Sequence, residues 1–162
     1  VREYVESNLT FLEIKNKSNK GRTKKIRISV PDENIKSHED AVDFINKSAK
    51  YGIDEISGRL RNQFSRITLV NKGKTERLTI DISIKFENCV TGNKNTIPAL
   101  CIVEVKRDGN VYSPFTSYMA DFRIKKKSIS KYCLGMILTD PGLKQNRFKM
   151  KLRYIEKMLS KK

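Results

Sequence analysis

The chemical capacity of this sequence rests on cations and carboxylates that recur at every second position of short apolar segments. In Leu9 to Lys17, Glu13, Lys15 and Lys17 alternate with Leu12 and Ile14. Arg22 to Val30 sets Lys25 and Arg27 against Ile26, Ile28 and Val30, and Gln63 to Val70 sets Arg66 and Thr68 against Ile67 and Leu69. In Glu76 to Phe86, Arg77, Thr79, Asp81, Ser83 and Lys85 oppose Leu78, Ile80, Ile82, Ile84 and Phe86. Ala99 to Arg107 sets Glu104 and Lys106 against Cys101, Val103 and Val105. A period of two belongs to a strand with unlike faces. A face rich in Lys and Arg can hold a phosphate chain, Arg by bidentate forks and Lys as point charges. The interspersed Glu and Asp suit a hard divalent cation that bridges phosphate oxygens.

Two arrangements give such faces. One is an antiparallel sheet with helices on its apolar side and water on the other. The second is a barrel turned inside out, its apolar face outward under helices and its charged face lining a lumen. A lumen crowded with cations is intolerable when empty, through self-repulsion and desolvation, and makes sense as a cage for an anion. The alternation by itself leaves both open.

The elements that position these faces follow from turns and caps. Ser18-Asn19-Lys20-Gly21 is a hairpin turn between the first two strands, Asn71-Lys72-Gly73-Lys74 joins the third and fourth, and Asp108-Gly109-Asn110 ends the fifth. Arg2 to Val5 reads as the tail of a further strand. Ser37-His38-Glu39-Asp40 opens a helix predicted over Glu39 to Tyr51, with Ala41, Val42, Ile45 and Ala49 at helical spacing. Ser113 to Lys126 is a second helix, with Pro114 in its first turn. Gln145 to Ser160 is a third: Phe148, Leu152, Ile155 and Leu159 form one stripe among Arg147, Lys149, Lys151, Arg153 and Lys157. The expected architecture is one α+β domain over residues 1–162.

Composition narrows the chemistry. The 34 Lys and Arg against 18 Asp and Glu leave +16, which calls for a polyanion or an acidic surface as partner. Cys89, Cys101 and Cys133 lack C-x-x-C spacing and suit buried thiols in a reducing, cytoplasmic setting. His38 is the lone histidine and sits at a helix start, which leaves little room for a Ser-His-Asp triad or a His-rich metal site. No P-loop is present. Lys125-Lys126-Lys127 and the basic C-terminal helix could meet nucleic acid through phosphates. The dispersed Phe and Tyr form no stacking platform, which argues against nucleic acid. No apolar run approaches the roughly 20 residues of a membrane span. Opening at Val1 in apparent strand, the sequence reads as a piece of a longer chain.

In order, Leu12-Glu13-Ile14-Lys15, Lys25-Ile26-Arg27, Arg66, Arg77-Leu78-Thr79-Ile80-Asp81, Val103-Glu104-Val105-Lys106 and Ser130-Lys131-Tyr132 resemble the motifs of the VTC domain. This is the polyphosphate polymerase domain of vacuolar transporter chaperones and bacterial relatives, among the triphosphate tunnel metalloenzymes. The resemblance implies an antiparallel β-tunnel with a charged lumen and helices outside, whose opening strands would precede Val1. It makes Arg2 the second arginine of a K-x-R-x-R strand. It implies phosphate contacts from Arg2, Lys15, Lys25, Arg27, Arg66, Arg77, Lys106, Lys127 and Lys131, with Lys15, Arg66, Arg77 and Lys131 serving catalysis. Glu104 matches the family's metal-binding glutamate. Asp81 is either a second metal ligand or an ion-pair partner on its own face. Lys127 stands one step behind Ser128, where the family can carry another lysine. The implied cofactor is Mn²⁺ or Mg²⁺, with ATP, triphosphate or inorganic polyphosphate as partners. The implied activity is nucleotide-dependent polyphosphate synthesis by the full-length parent. Triphosphate hydrolysis and non-catalytic polyanion binding are the alternatives.

Overall fold

In a computed structural model, residues 1–20, 22–107, 109 and 112–160 are described. Gly21, Asp108 and Asn110 of the expected turns lie outside them. The chain is α+β with antiparallel sheets and forms two compact units, Val1–Ser57 and Gly58–Lys162.

The first unit carries β1 (Arg2–Tyr4), β2 (Leu9–Lys17) and β3 (Thr23–Val30) in the order β1-β2-β3, then α1 (Glu39–Ser48). Strict alternation in β2 and β3 puts Leu12, Ile14, Ile28 and Val30 on one face. They pack with Ala41 and Ile45 of α1 and with Ile53. The acidic first turn of α1, Glu39 and Asp40, complements the helix dipole, and Lys47 in the last turn bonds Asp43 at 2.8 Å. The helix stops at Ser48, short of the expected Tyr51, because Ala49 turns to an extended backbone while its N–H still bonds Ile45 O.

The second unit is built on a long hairpin, β4 (Leu60–Val70) and β5 (Glu76–Asn88). The far edge of β5 pairs β7 (Ile102–Arg107) along its first half and β6 (Lys94–Ile97) along its second. Helices α2 (Pro114–Asp121), α3 (Lys131–Thr139) and α4 (Lys149–Leu159) complete the unit. Helix α2 ends five residues before the expected Lys126, where the chain turns through Arg123 at φ +56°. Helix α4 begins at Lys149 rather than Gln145.

The expected single apolar face from Leu78 to Phe86 divides at Ser83. Ser83 has φ +55°, and the register with β4 passes from Ser65↔Ile82 to Gln63↔Lys85, so two residues of β5 oppose Phe64. This β-bulge exchanges the faces of everything downstream. Ile84 and Phe86 are consequently buried on the side that also carries Thr79 and Asp81. Ile82 stays with Ile67 and Leu69 on the other side, all exposed.

Helix α3 covers the Ile84–Phe86 side, and Leu134 joins Ile84, Phe86, Leu100 and Ile155 in the core. Its closeness depends on Gly135: a Cβ there would lie 2.5 Å from Phe86 Cδ1 and 2.6 Å from Leu60 Cδ2. Replacing Gly by Ala in a helix is normally favourable by about 1 kcal/mol. Here overpacking should outweigh that gain, at about 1–3 kcal/mol. Gly135→Ala should therefore lower the urea midpoint of the chain, and an unchanged or raised midpoint would contradict this packing.

Candidate functional site

The charged face of the first sheet gathers Arg2, Lys15, Lys17, Lys25 and Arg27 around one carboxylate, Glu13. Register makes Glu13 face Arg27 and Lys15 face Lys25. Glu13 is drawn diagonally to Lys25 Nζ at 2.6 Å and to Arg2 Nη2 at 3.8 Å, with only 7% of its side chain exposed. Burial opposes its ionisation, but the Lys25 hydrogen bond and the charges of Arg2, Lys25 and Lys15 outweigh it and hold the carboxyl below its ordinary range. Arg27 stacks on the Phe11 ring at 4.6 Å. Lys15 has no hydrogen bond or ion pair among the described residues. Two lysines directly across a ladder repel one another, so the Lys15–Lys25 pair is a place where an anion would relieve the sheet.

In the second unit, β4, β5, β7 and the start of α3 converge on one face. Arg66 lies opposite Asp81 in register and grips it bidentately, Nε to Oδ1 at 2.6 Å and Nη2 to Oδ2 at 2.7 Å. Lys131, the first residue of α3, also donates to Asp81 Oδ2. Ser130 fixes that helix start by accepting from the Cys133 N–H at 3.3 Å. Phe64 supports both cations, its ring centre 5.1 Å from Arg66 Cζ and 4.7 Å from Lys131 Nζ. Asp81 is 1% exposed. Burial opposes its charge, yet the hydrogen bonds from Arg66 and Lys131 prevail and keep its carboxyl below the usual range.

The other half of this face follows from the β5–β7 ladder: Arg77 faces Lys106, and Thr79 faces Glu104. Here again two cations stand directly opposite. Lys106 is drawn 3.5 Å from Glu104, and both are about half exposed. Thr79 Oγ1 is buried and has no hydrogen-bond partner among the described residues. At the hairpin end, Lys74, Thr75, Arg77, Lys106 and Arg107, with Val70 and Val105, line a concavity of about 680 Å³, and among the described residues its wall holds no carboxylate.

The structure thus brings Arg2, Lys15, Lys25 and Arg27 together on the first sheet. It brings Arg66, Arg77, Asp81, Glu104, Lys106 and Lys131 together on the second. Lys127 stacks instead over Tyr154 of α4, at 4.7 Å. Phe64, Thr79, Lys74 and Gly135 were not singled out by their chemistry, although Phe64 shares the parity of Arg66 and Thr79 that of Arg77 and Asp81. Among the described residues, no group of three or more His, Cys, Asp or Glu side chains could hold a metal ion. Among the described residues of this face, Glu104, with the Thr79 hydroxyl across the ladder, offers oxygen donors that suit a hard cation, and phosphate oxygens and water would have to complete the shell.

Residues 1–139 match the family model of the VTC domain, and the chain belongs to that family. Membership points to a polyphosphate-related function. Comparison with curated proteins and with solved structures finds no match. Among the described residues, no helix is long and apolar enough to cross a membrane.

Glu13 in the first unit and Asp81 in the second each make stability depend on pH. Both ionise more readily in the native state than when unfolded. The stability they add is therefore present above the unfolded carboxylate pKa of about 4 and is lost as pH falls through the lowered native values. Asp81→Ala strands two cations and should cost about 3–5 kcal/mol near neutral pH. Asp81→Asn should flatten the fall in stability below about pH 4. Thermal melts of both variants from neutral to acid pH check this; a wild-type slope in Asp81→Asn would remove Asp81 from the account.

Proposed function

We propose that this VTC-domain chain binds triphosphate or inorganic polyphosphate on the charged strand faces of its sheets. We propose further that it serves the transfer of phosphoryl groups from ATP to a growing polyphosphate chain. The observation that carries the reading is the pair of cross-strand cation couples, Lys15–Lys25 and Arg77–Lys106. Each places like charges in the least comfortable position of a ladder, an arrangement that a bound polyanion turns from repulsive to attractive.

Phosphoryl transfer asks the protein for positioning and charge neutralisation more than for a covalent nucleophile. Arg66 and Lys131 meet that need by being held before the ligand arrives, on Asp81 and over Phe64, so little reorganisation is left to the reaction. In this reading Asp81 sets those two cations in place, and Glu104 is the carboxylate that takes Mn²⁺ or Mg²⁺. When bound with substrate, the ion would neutralise phosphate charge. Arg77 and Lys106 hold the chain beyond.

Calorimetry with tripolyphosphate should show binding that weakens roughly tenfold or more in Lys15→Ala and in Arg77→Ala, each of which removes one charge-assisted contact. Glu104→Gln should lose the Mn²⁺-dependent increment of affinity while retaining metal-free binding. Unchanged affinity in the two cation variants, with duplex DNA competing equally well, would overturn the reading. With ATP and Mn²⁺, a polyphosphate ladder on a gel is the product expected of a polymerase. Phosphate release without a ladder would identify a hydrolase.

A further inference from the structure

Helix α4 lies beyond the residues that match the VTC family and has two apolar stripes. Leu152, Ile155 and Leu159 form one and pack into the core of the second unit. Met150, Tyr154 and Met158, four residues apart, form the other and are exposed by 73%, 41% and 43%. Residues at this spacing stack along one side of a helix. Arg153 and Lys157 border the stripe on one side and Lys151 on the other, while Glu156, the one carboxylate of α4, falls roughly opposite it. Lys127, the last of the Lys125-Lys126-Lys127 run, reaches over the Tyr154 ring. Arg147 and Lys149 add charge at the start of the helix.

We infer that this outward face of α4 docks on an anionic lipid surface, with the helix lying in the headgroup plane. Charge complementarity selects the anion: among the described residues, Lys151, Arg153 and Lys157 form no ion pair. The stripe they enclose selects a lipid over a bare polyanion. Phosphate chains and nucleic-acid backbones reward the lysines and leave two exposed methionines without a role. A bilayer interface takes both, the thioethers and tyrosine entering the acyl boundary while the lysine stems reach back to the headgroups. Clusters of four to eight Lys and Arg on such a helix are the usual footprint of acidic phospholipid recognition. The surface is distinct from the charged strand faces and does not depend on their assignment.

Flotation of the chain with vesicles of phosphatidylcholine alone and of phosphatidylcholine with phosphatidylserine tests the inference at physiological ionic strength. Binding is expected on the anionic vesicles only. Lys151→Glu combined with Lys157→Glu should weaken it by roughly tenfold or more, and Met150→Ser combined with Met158→Ser should weaken it several-fold at unchanged charge. The sequence contains no tryptophan, so Tyr154→Trp supplies a single reporter whose emission should shift to the blue on anionic vesicles. Arg77→Ala should bind vesicles as wild type does. The inference fails if vesicle binding is absent or indifferent to lipid charge. It fails also if the methionine variant binds undiminished, which would mark a surface for polyanions such as RNA, or if Arg77→Ala abolishes binding, which would place lipid phosphate on the strand face.

Discussion

A carboxylate with almost no contact with water must be matched by donors on every side, and Asp81 is such a carboxylate. Its needs organise the second unit. Arg66 can fork onto it only if β4 and β5 keep their register. Lys131 can reach it only if α3 starts behind its Ser130 cap and lies against the sheet at the distance that Gly135 permits. Phe64 sets its ring beside both cations. The ion cluster, the strand pairing and the helix approach are one constraint seen at three levels. The result is a pair of cations whose positions are settled by folding.

The first sheet solves a smaller version of the same problem. Glu13 is nearly buried and takes Lys25 and Arg2, while Lys15 stays unpaired among the described residues and Arg27 rests on Phe11. In both units a buried acid tethers some cations and leaves others opposed to their own kind. A sheet selected for stability alone would have alternated the signs. The surplus of positive charge on these faces is therefore the part of the structure that stability does not explain, and it coincides with the motif residues that carry the family resemblance.

Legibility in the sequence followed the simplicity of the local pattern. Strands β2 and β3 have unbroken alternation, so their boundaries and the grouping of Lys15, Lys25 and Arg27 were readable directly. Helix α3 was missed because Lys131–Thr139 is apolar on nearly all sides, with Leu134, Gly135, Ile137 and Thr139 buried; a helix enclosed this way shows no stripe. Strand β6 is four residues long, too short for a period to register. The role of Asp81 needed tertiary information: its partner Arg66 is fifteen residues away and Lys131 fifty. Lys127 shows the reverse, a motif position whose side chain turns to an aromatic ring on α4.

The bulge at Ser83 makes β5 behave like a message with a frameshift. Strand parity is a two-letter code, and one extra residue changes the reading of all that follows. Upstream of it, the even-numbered residues Leu78, Ile80 and Ile82 face away from α3; downstream, the even-numbered Ile84 and Phe86 lie in the core beneath it. Polar site and hydrophobic core thereby share one side of one strand, and the core supplies the rigidity that the site uses. Substitution at Ser83 leaves that phase untouched, since any residue tolerating a left-handed turn preserves the count. Loss of the residue is another matter. A straight strand could keep Phe86 under α3 or Asp81 beneath Lys131, but never both, so chain length at this position is a stronger constraint than chemistry.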